Sequence, residues 1–155
     1  MVPQMTRTSM AGFYLAAISV LGCSQDEPTG MPVFAEPSAA TSIREVDSNE
    51  VYELISQNER PLLVELSVTS GCFRCNELNA PMRLRTAEIE RYADVVRVNY
   101  NRNPELVDEF GAAVCPSYAV FSGGELQSIR SWPTSPDLIV DDVLIASEAR
   151  RTSGN

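Results

Sequence analysis

The residues with the clearest capacity for chemistry are Cys72 and Cys75 in the run Cys72-Phe73-Arg74-Cys75, which follows Leu62-Leu63-Val64-Glu65-Leu66 and opens a helix-like stretch. Two thiols three positions apart at a helix start face one another and can close a disulfide or share a metal. No histidine occurs anywhere in the chain. That excludes Ser-His-Asp and Cys-His catalysis, histidine-ligated metals and a haem attachment motif, so sulfur has to carry most of the chemistry.

The composition sets the frame for that pair. A chain of 155 residues with a 44% hydrophobic fraction is expected to form one domain with a modest core. Its formal net charge is -9 and its basic residues are all arginines, scattered from Arg7 to Arg151. No basic cluster exists to hold phosphates, so no nucleic-acid partner is expected.

The segment before the domain reads as an address. Ala11 to Leu21 is continuously apolar or small, shorter than the about 20 residues that span a bilayer, and suits the apolar region of a signal peptide over residues 1–22. It ends in Val20-Leu21-Gly22-Cys23, which resembles the lipobox of bacterial lipoproteins. That resemblance implies lipidation at Cys23, a membrane anchor, and a place on the periplasmic face of a bacterial membrane, with Ser24 favouring the outer one. Such a compartment is oxidising and permits disulfides. Residues 23–41, with Pro28, Pro32 and Pro37 among small polar residues, read as a flexible tether.

The elements that must position the thiols follow from periodicity and punctuation. Ile43 to Val46 reads as a short strand, Asp47-Ser48-Asn49 as a cap before Val51, Leu54 and Ile55, and Leu62 to Val68 as a buried strand. Phe73 to Tyr92 has a helical pattern with Pro81 expected to kink it. Val95 to Tyr100 is strand-like, and Pro104 to Phe110 a short helix closed by Gly111. Tyr118 to Phe121 and Leu126 to Arg130 form a hairpin across Ser122-Gly123-Gly124-Glu125. Pro136 to Ser147 is a final amphipathic helix capped by Ser135, and residues 149–155 read as a disordered tail.

This order of elements, the C-x-x-C between a buried strand and a helix, and Val114-Cys115-Pro116-Ser117 before the hairpin together resemble the thioredoxin superfamily. The resemblance covers residues 42–148 and implies a three-layer α/β/α sandwich with a mixed central sheet. It implies a thiol-disulfide oxidoreductase with no cofactor, exchanging disulfides with protein substrates and supplied by an upstream redox partner. Within that resemblance Cys72 is the nucleophile, Cys75 the resolving thiol, and Cys72-Cys75 the active disulfide. Helix-terminal amides lower a thiol from about 8.5 into roughly 3.5 to 7.5, and Arg74 adds positive charge nearby.

Glu65 occupies the family position of a buried proton shuttle, and burial among apolar neighbours would suit it to that role. The plainer reading is a strand-end glutamate facing water. Pro116 corresponds to a cis-proline whose preceding residue pairs with an extended substrate strand, so Cys115 and Pro116, with Phe73 and Arg74, form the expected substrate-binding set. A trans turn proline is the alternative.

Cys115 departs from the family, which has Ile, Val or Thr there. Three roles are open to it: an alternative disulfide, a three-thiolate site for a soft metal such as Cu(I), or an apolar filler. No Trp precedes Cys72, and Phe-Arg replaces the usual intervening dipeptides. The competing functions are therefore Cu(I) binding and a thioredoxin-fold binding module without turnover.

Overall fold

The computed structural model describes residues 42–153; the expected signal peptide, Cys23 and most of the tether lie outside the described residues. Leu62–Ser67 forms β2, a strand buried along its whole length, and this explains why its apolar residues run continuously instead of alternating. On one side of β2 lies β3 (Asp94–Asn99), parallel, with Leu63 opposite Val95 and Leu66 opposite Val98. β1 (Arg44–Val46) pairs in parallel with the far edge of β3. On the other side β4 (Ser117–Ser122) runs antiparallel to β2, and β5 (Glu125–Ser131) antiparallel to β4.

The sheet order is β1-β3-β2-β4-β5, a mixed sheet of five strands. Each of its faces carries helices. Leu62, Val64 and Leu66 share a core with Val51 of α1 (Ser48–Gln57) and with Leu106 and Phe110 of α3 (Pro104–Phe110). Leu63 points the other way, toward Met82 and Ile89 of α2 (Phe73–Ile89) and Ile139, Val140 and Val143 of α4 (Asp137–Ser153). Truncating fully buried Leu63 to alanine would cost about 2 to 5 kcal/mol.

Local chemistry sets the element ends. Asp47 caps α1 by accepting the Glu50 amide at 3.0 Å. Ser135 does the same for the start of α4, accepting the Asp137 amide at 3.2 Å. Gly111 closes α3 in the left-handed conformation, and Gly123 and Gly124, both at positive φ, make the tight turn between β4 and β5.

Several boundaries differ from the sequence reading, most by one residue. β1 begins at Arg44, and β2 ends at Ser67, before the Val68 to Gly71 turn. α2 ends at Ile89 because the amides of Tyr92 and Ala93 both return to the Ile89 carbonyl, turning the chain into β3. It runs through Pro81 as one element, the missing Pro81 amide leaving the Glu77 carbonyl without its helical donor. The largest difference is at the end, where α4 continues to Ser153, so residues 149–153 are helix and not tail. Arg150 and Arg151 fall in its last turn, where positive charge complements the helix dipole.

Candidate active site

The chain leaves β2 at Ser67, turns at Gly71 with φ 79°, and enters α2 with Cys72 as the N-cap. The Cys72 sulfur accepts the backbone N–H of Cys75 at 3.1 Å. Sulfur thus stands where a Ser or Asp oxygen usually caps a helix, and no acidic residue in the first turn competes for the positive helix end. Cys72 and Cys75 are joined by a disulfide, with their Cα atoms 5.3 Å apart. Cys75 is buried and Cys72 is half-buried at the surface, so the two sulfurs are inequivalent toward an incoming partner.

The loop before β4 completes the centre. The Cys115-Pro116 bond is cis, as the family position implies, and Pro116 is buried. The Cys115 sulfur lies 2.9 Å from the Cys75 sulfur, and the Cys115 carbonyl oxygen 3.7 Å from the Cys72 sulfur. All three sulfurs fall within 4.8 Å of one another. Cys115 is a free thiol whose pKa is pushed up, chiefly by burial; the Val68 N–H at its sulfur opposes the rise and the Glu65 charge adds to it.

Glu65 lies beneath this loop and is 4% exposed, which rules out a glutamate facing water. It is not an isolated carboxylate either. Arg97 sits opposite it in the β3 register and donates to Oε2 at 3.1 Å, while the Ser67 hydroxyl donates to Oε1 at 2.7 Å. Arg97 was legible only as a charge inside the apolar run Val95-Val96-Arg97-Val98, and the cross-strand register was needed to pair it.

The Arg74 charge is engaged by groups other than the sulfurs. Its guanidinium pairs with Glu77 at 2.6 Å and donates to the Pro133 carbonyl at 2.9 Å, strapping the first turn of α2 to the segment after β5. That segment holds Trp132, at φ 55°, whose backbone N–H donates to the Pro116 carbonyl at 2.9 Å. The segment after β5 is therefore hydrogen-bonded both to the first turn of α2 and to the cis-proline. Trp132 is 58% exposed; Phe73, adjacent to Cys72 in the chain, is 82% exposed and Val114, adjacent to Cys115, 40%, so apolar side chains on three segments that build the site stand in water. As the chain's sole tryptophan, followed by proline, Trp132 carried a signal that periodicity alone did not interpret.

No family model matches the chain. Thioredoxin X, chloroplastic, of Arabidopsis thaliana is 25% identical over 83 residues, which cover 54% of this chain and 45% of that protein. The chain thus spans about half the length of the curated relative it matches. Among solved structures, mitochondrial thioredoxin 3 of Saccharomyces cerevisiae in its oxidized form superposes with a TM-score of 0.57 at 17% identity, covering 66% of this chain and 94% of that one. The Malassezia sympodialis thioredoxin Mala s 13 gives 0.58 at 12% identity, over 68% of this chain and 91% of that one. Plasmodium falciparum thioredoxin gives 0.58 at 14%, over 66% and 98%. The fold is thioredoxin-like, with a disulfide-linked C-x-x-C at the start of α2.

Proposed function

We propose that this chain is a thiol-disulfide oxidoreductase acting on protein disulfides, exported and held at a membrane by lipid on Cys23. The single observation that carries the activity is the Cys72-Cys75 disulfide at a helix N-terminus, set against a cis-Pro116 loop whose Cys115 carbonyl oxygen lies 3.7 Å from the Cys72 sulfur. In the reducing direction the Cys72 thiolate attacks a substrate disulfide and expels one substrate thiolate. The Cys75 sulfur then attacks Cys72, releasing the second substrate thiolate and restoring the Cys72-Cys75 bond. Glu65 serves as the shuttle for the Cys75 proton, and a dithiol donor upstream regenerates the pair.

The test of activity is reduction of insulin disulfides by the full chain with a dithiol donor. Turnover is expected to vanish in Cys72→Ser, and turnover that survives this substitution refutes the reading. The anchor rests on the lipobox-like residues Val20-Leu21-Gly22-Cys23. In a bacterial host, labelled palmitate is expected to enter the wild-type chain and the membrane fraction to hold it; incorporation unchanged in Cys23→Ser would remove the anchor.

A second reading, Cu(I) binding, is favoured by the three sulfurs lying within 4.8 Å. Anaerobic titration of the reduced chain separates it, since an affinity unaffected by Cys115→Ser excludes a three-thiolate site.

A further inference from the structure

We propose that Cys115 is a third redox thiol of this centre, exchanging into the Cys72-Cys75 disulfide to give a Cys75-Cys115 disulfide and a free Cys72. The inference builds on the oxidoreductase reading of the same site and adds a second oxidised state to it. Its basis is position. The Cys115 sulfur already touches the Cys75 sulfur at 2.9 Å, and the three sulfurs form one cluster with no side chain between Cys75 and Cys115.

The exchange is balanced without any outside oxidant. The Cys115 sulfur, its proton given up to water, bonds to the Cys75 sulfur; the Cys72–Cys75 bond breaks, and its electron pair leaves on Cys72 as a thiolate. Two backbone donors suit this movement of charge. The Val68 N–H at the Cys115 sulfur favours the attacking thiolate, and the Cys75 N–H at 3.1 Å favours the departing one. Cys72 also gains from the helix end, which stabilises a thiolate better than the buried loop of Cys115 does.

The two oxidised states differ in what they present outside. With Cys72 and Cys75 joined, the free thiol is half-buried Cys115, in the cis-proline loop. With Cys75 and Cys115 joined, the free thiol is Cys72, half-buried at the start of α2 next to exposed Phe73. Cys72 then has no resolving partner. It captures a substrate disulfide as a stable mixed disulfide, holding the substrate instead of turning it over.

The sequence makes the two states separable. Cleavage after Arg44, Arg74, Arg83, Arg102 and Arg130 places Cys72, Cys75 and Cys115 on three different tryptic peptides. The full chain carrying Cys23→Ser is oxidised with one equivalent of diamide, equilibrated at pH 8, acid-quenched, alkylated, and mapped without reduction. A linked pair of the Cys75 and Cys115 peptides, with alkylated Cys72, is expected at about a tenth of the chains or more. Finding the Cys72 peptide linked to the Cys75 peptide alone, with Cys115 fully alkylated, overturns the proposal.

A second variant guards against a small equilibrium population. Cys72→Ser in the same background leaves Cys75 and Cys115, which should lose both free thiols together on oxidation and migrate as a monomer. Two thiols that persist, or that oxidise only between chains, also overturn it. Failure of insulin reduction with the Cys75-Cys115 link present would remove the oxidoreductase reading and leave the exchange standing. Insulin turnover without that link does the reverse.

Discussion

Arg97 and Glu65 face one another across β3 and β2, their side chains 3.1 Å apart and 16% and 6% exposed, directly behind the loop that carries Cys115. A buried ion pair adds little net stability, because desolving both charges offsets their attraction, yet removing one partner leaves the other charge stranded. Arg97→Leu is therefore expected to cost about 3 kcal/mol, near the low end for a broken buried pair because Arg97 keeps some access to water. The double change to Glu65→Leu with Arg97→Leu should recover most of it. Urea denaturation of the three proteins measures this, and additive losses would contradict the coupling.

Legibility followed how local the physics was. Cys72 and Cys75 were readable because a helix start needs only neighbouring residues, and the cis-proline because its sequence neighbourhood matches a family position. Gly111 and the Gly123-Gly124 turn declared themselves through conformations that other residues rarely adopt. The partners of these residues were another matter. Arg97 meets Glu65 only through strand register, Arg74 reaches Pro133 across 59 positions, and Trp132 is brought to Pro116 by the β4-β5 hairpin. Such contacts are set by the assembled sheet and leave no periodic trace. The helical run through Ser153 was hidden by a polar, charged sequence whose helix rests on continuation from the packed first turns of α4.

The different burial of the two disulfide sulfurs predicts different trapping behaviour. A Cys75→Ser chain keeps the half-buried Cys72 at the helix end and loses the sulfur that would release a substrate from it. It should accumulate a mixed disulfide with a protein substrate, visible on non-reducing gels and reversed by dithiothreitol. Cys72→Ser should give at least tenfold less adduct. Equal adduct from both variants would show that the sulfurs are equally accessible.

Phe73, next to Cys72 in the chain, and Trp132, whose backbone is bonded to Pro116, leave large apolar surface in water, and such surface is stabilised when a partner covers it. Burying one such side chain is worth about 1.5 to 3 kcal/mol, so Phe73→Ser with Trp132→Ala should raise KM for a protein disulfide by about tenfold or more. The rate with a small aromatic disulfide, which cannot cover both side chains, should change by less than threefold. A loss that is the same for both substrates would mean that the substitutions had damaged the centre and not a docking surface.

Cys115 also makes the domain's stability depend on pH in a direction that can be worked out. Folding raises its pKa, chiefly through burial, with Glu65 of β2 adding to the rise and the Val68 N–H opposing it; Tyr118 of β4 and Arg97 of β3 lie in the same surroundings. Below the ordinary thiol range of about 8.5 both folded and unfolded chains hold the proton, and the contribution is fully present. As pH rises past that value the unfolded chain loses its proton first, so stability falls until the folded thiol titrates as well. The comparison is best made in a background of Cys23→Ser, Cys72→Ser and Cys75→Ser with a phosphine reductant, where no disulfide can reshuffle. Tyr52, pushed up to about 12 by its hydrogen bond to Glu109, titrates alike with and without Cys115→Ser and cancels, while Tyr118 is raised chiefly by burial, with Cys115 the smallest of its causes, and keeps its proton in the folded chain at both pH values. Urea midpoints at pH 7 and pH 9.5 should therefore fall further in the chain that keeps Cys115 than in the one that lacks it. Parallel midpoints would mean that the thiol is no harder to ionise in the folded loop than in the unfolded chain.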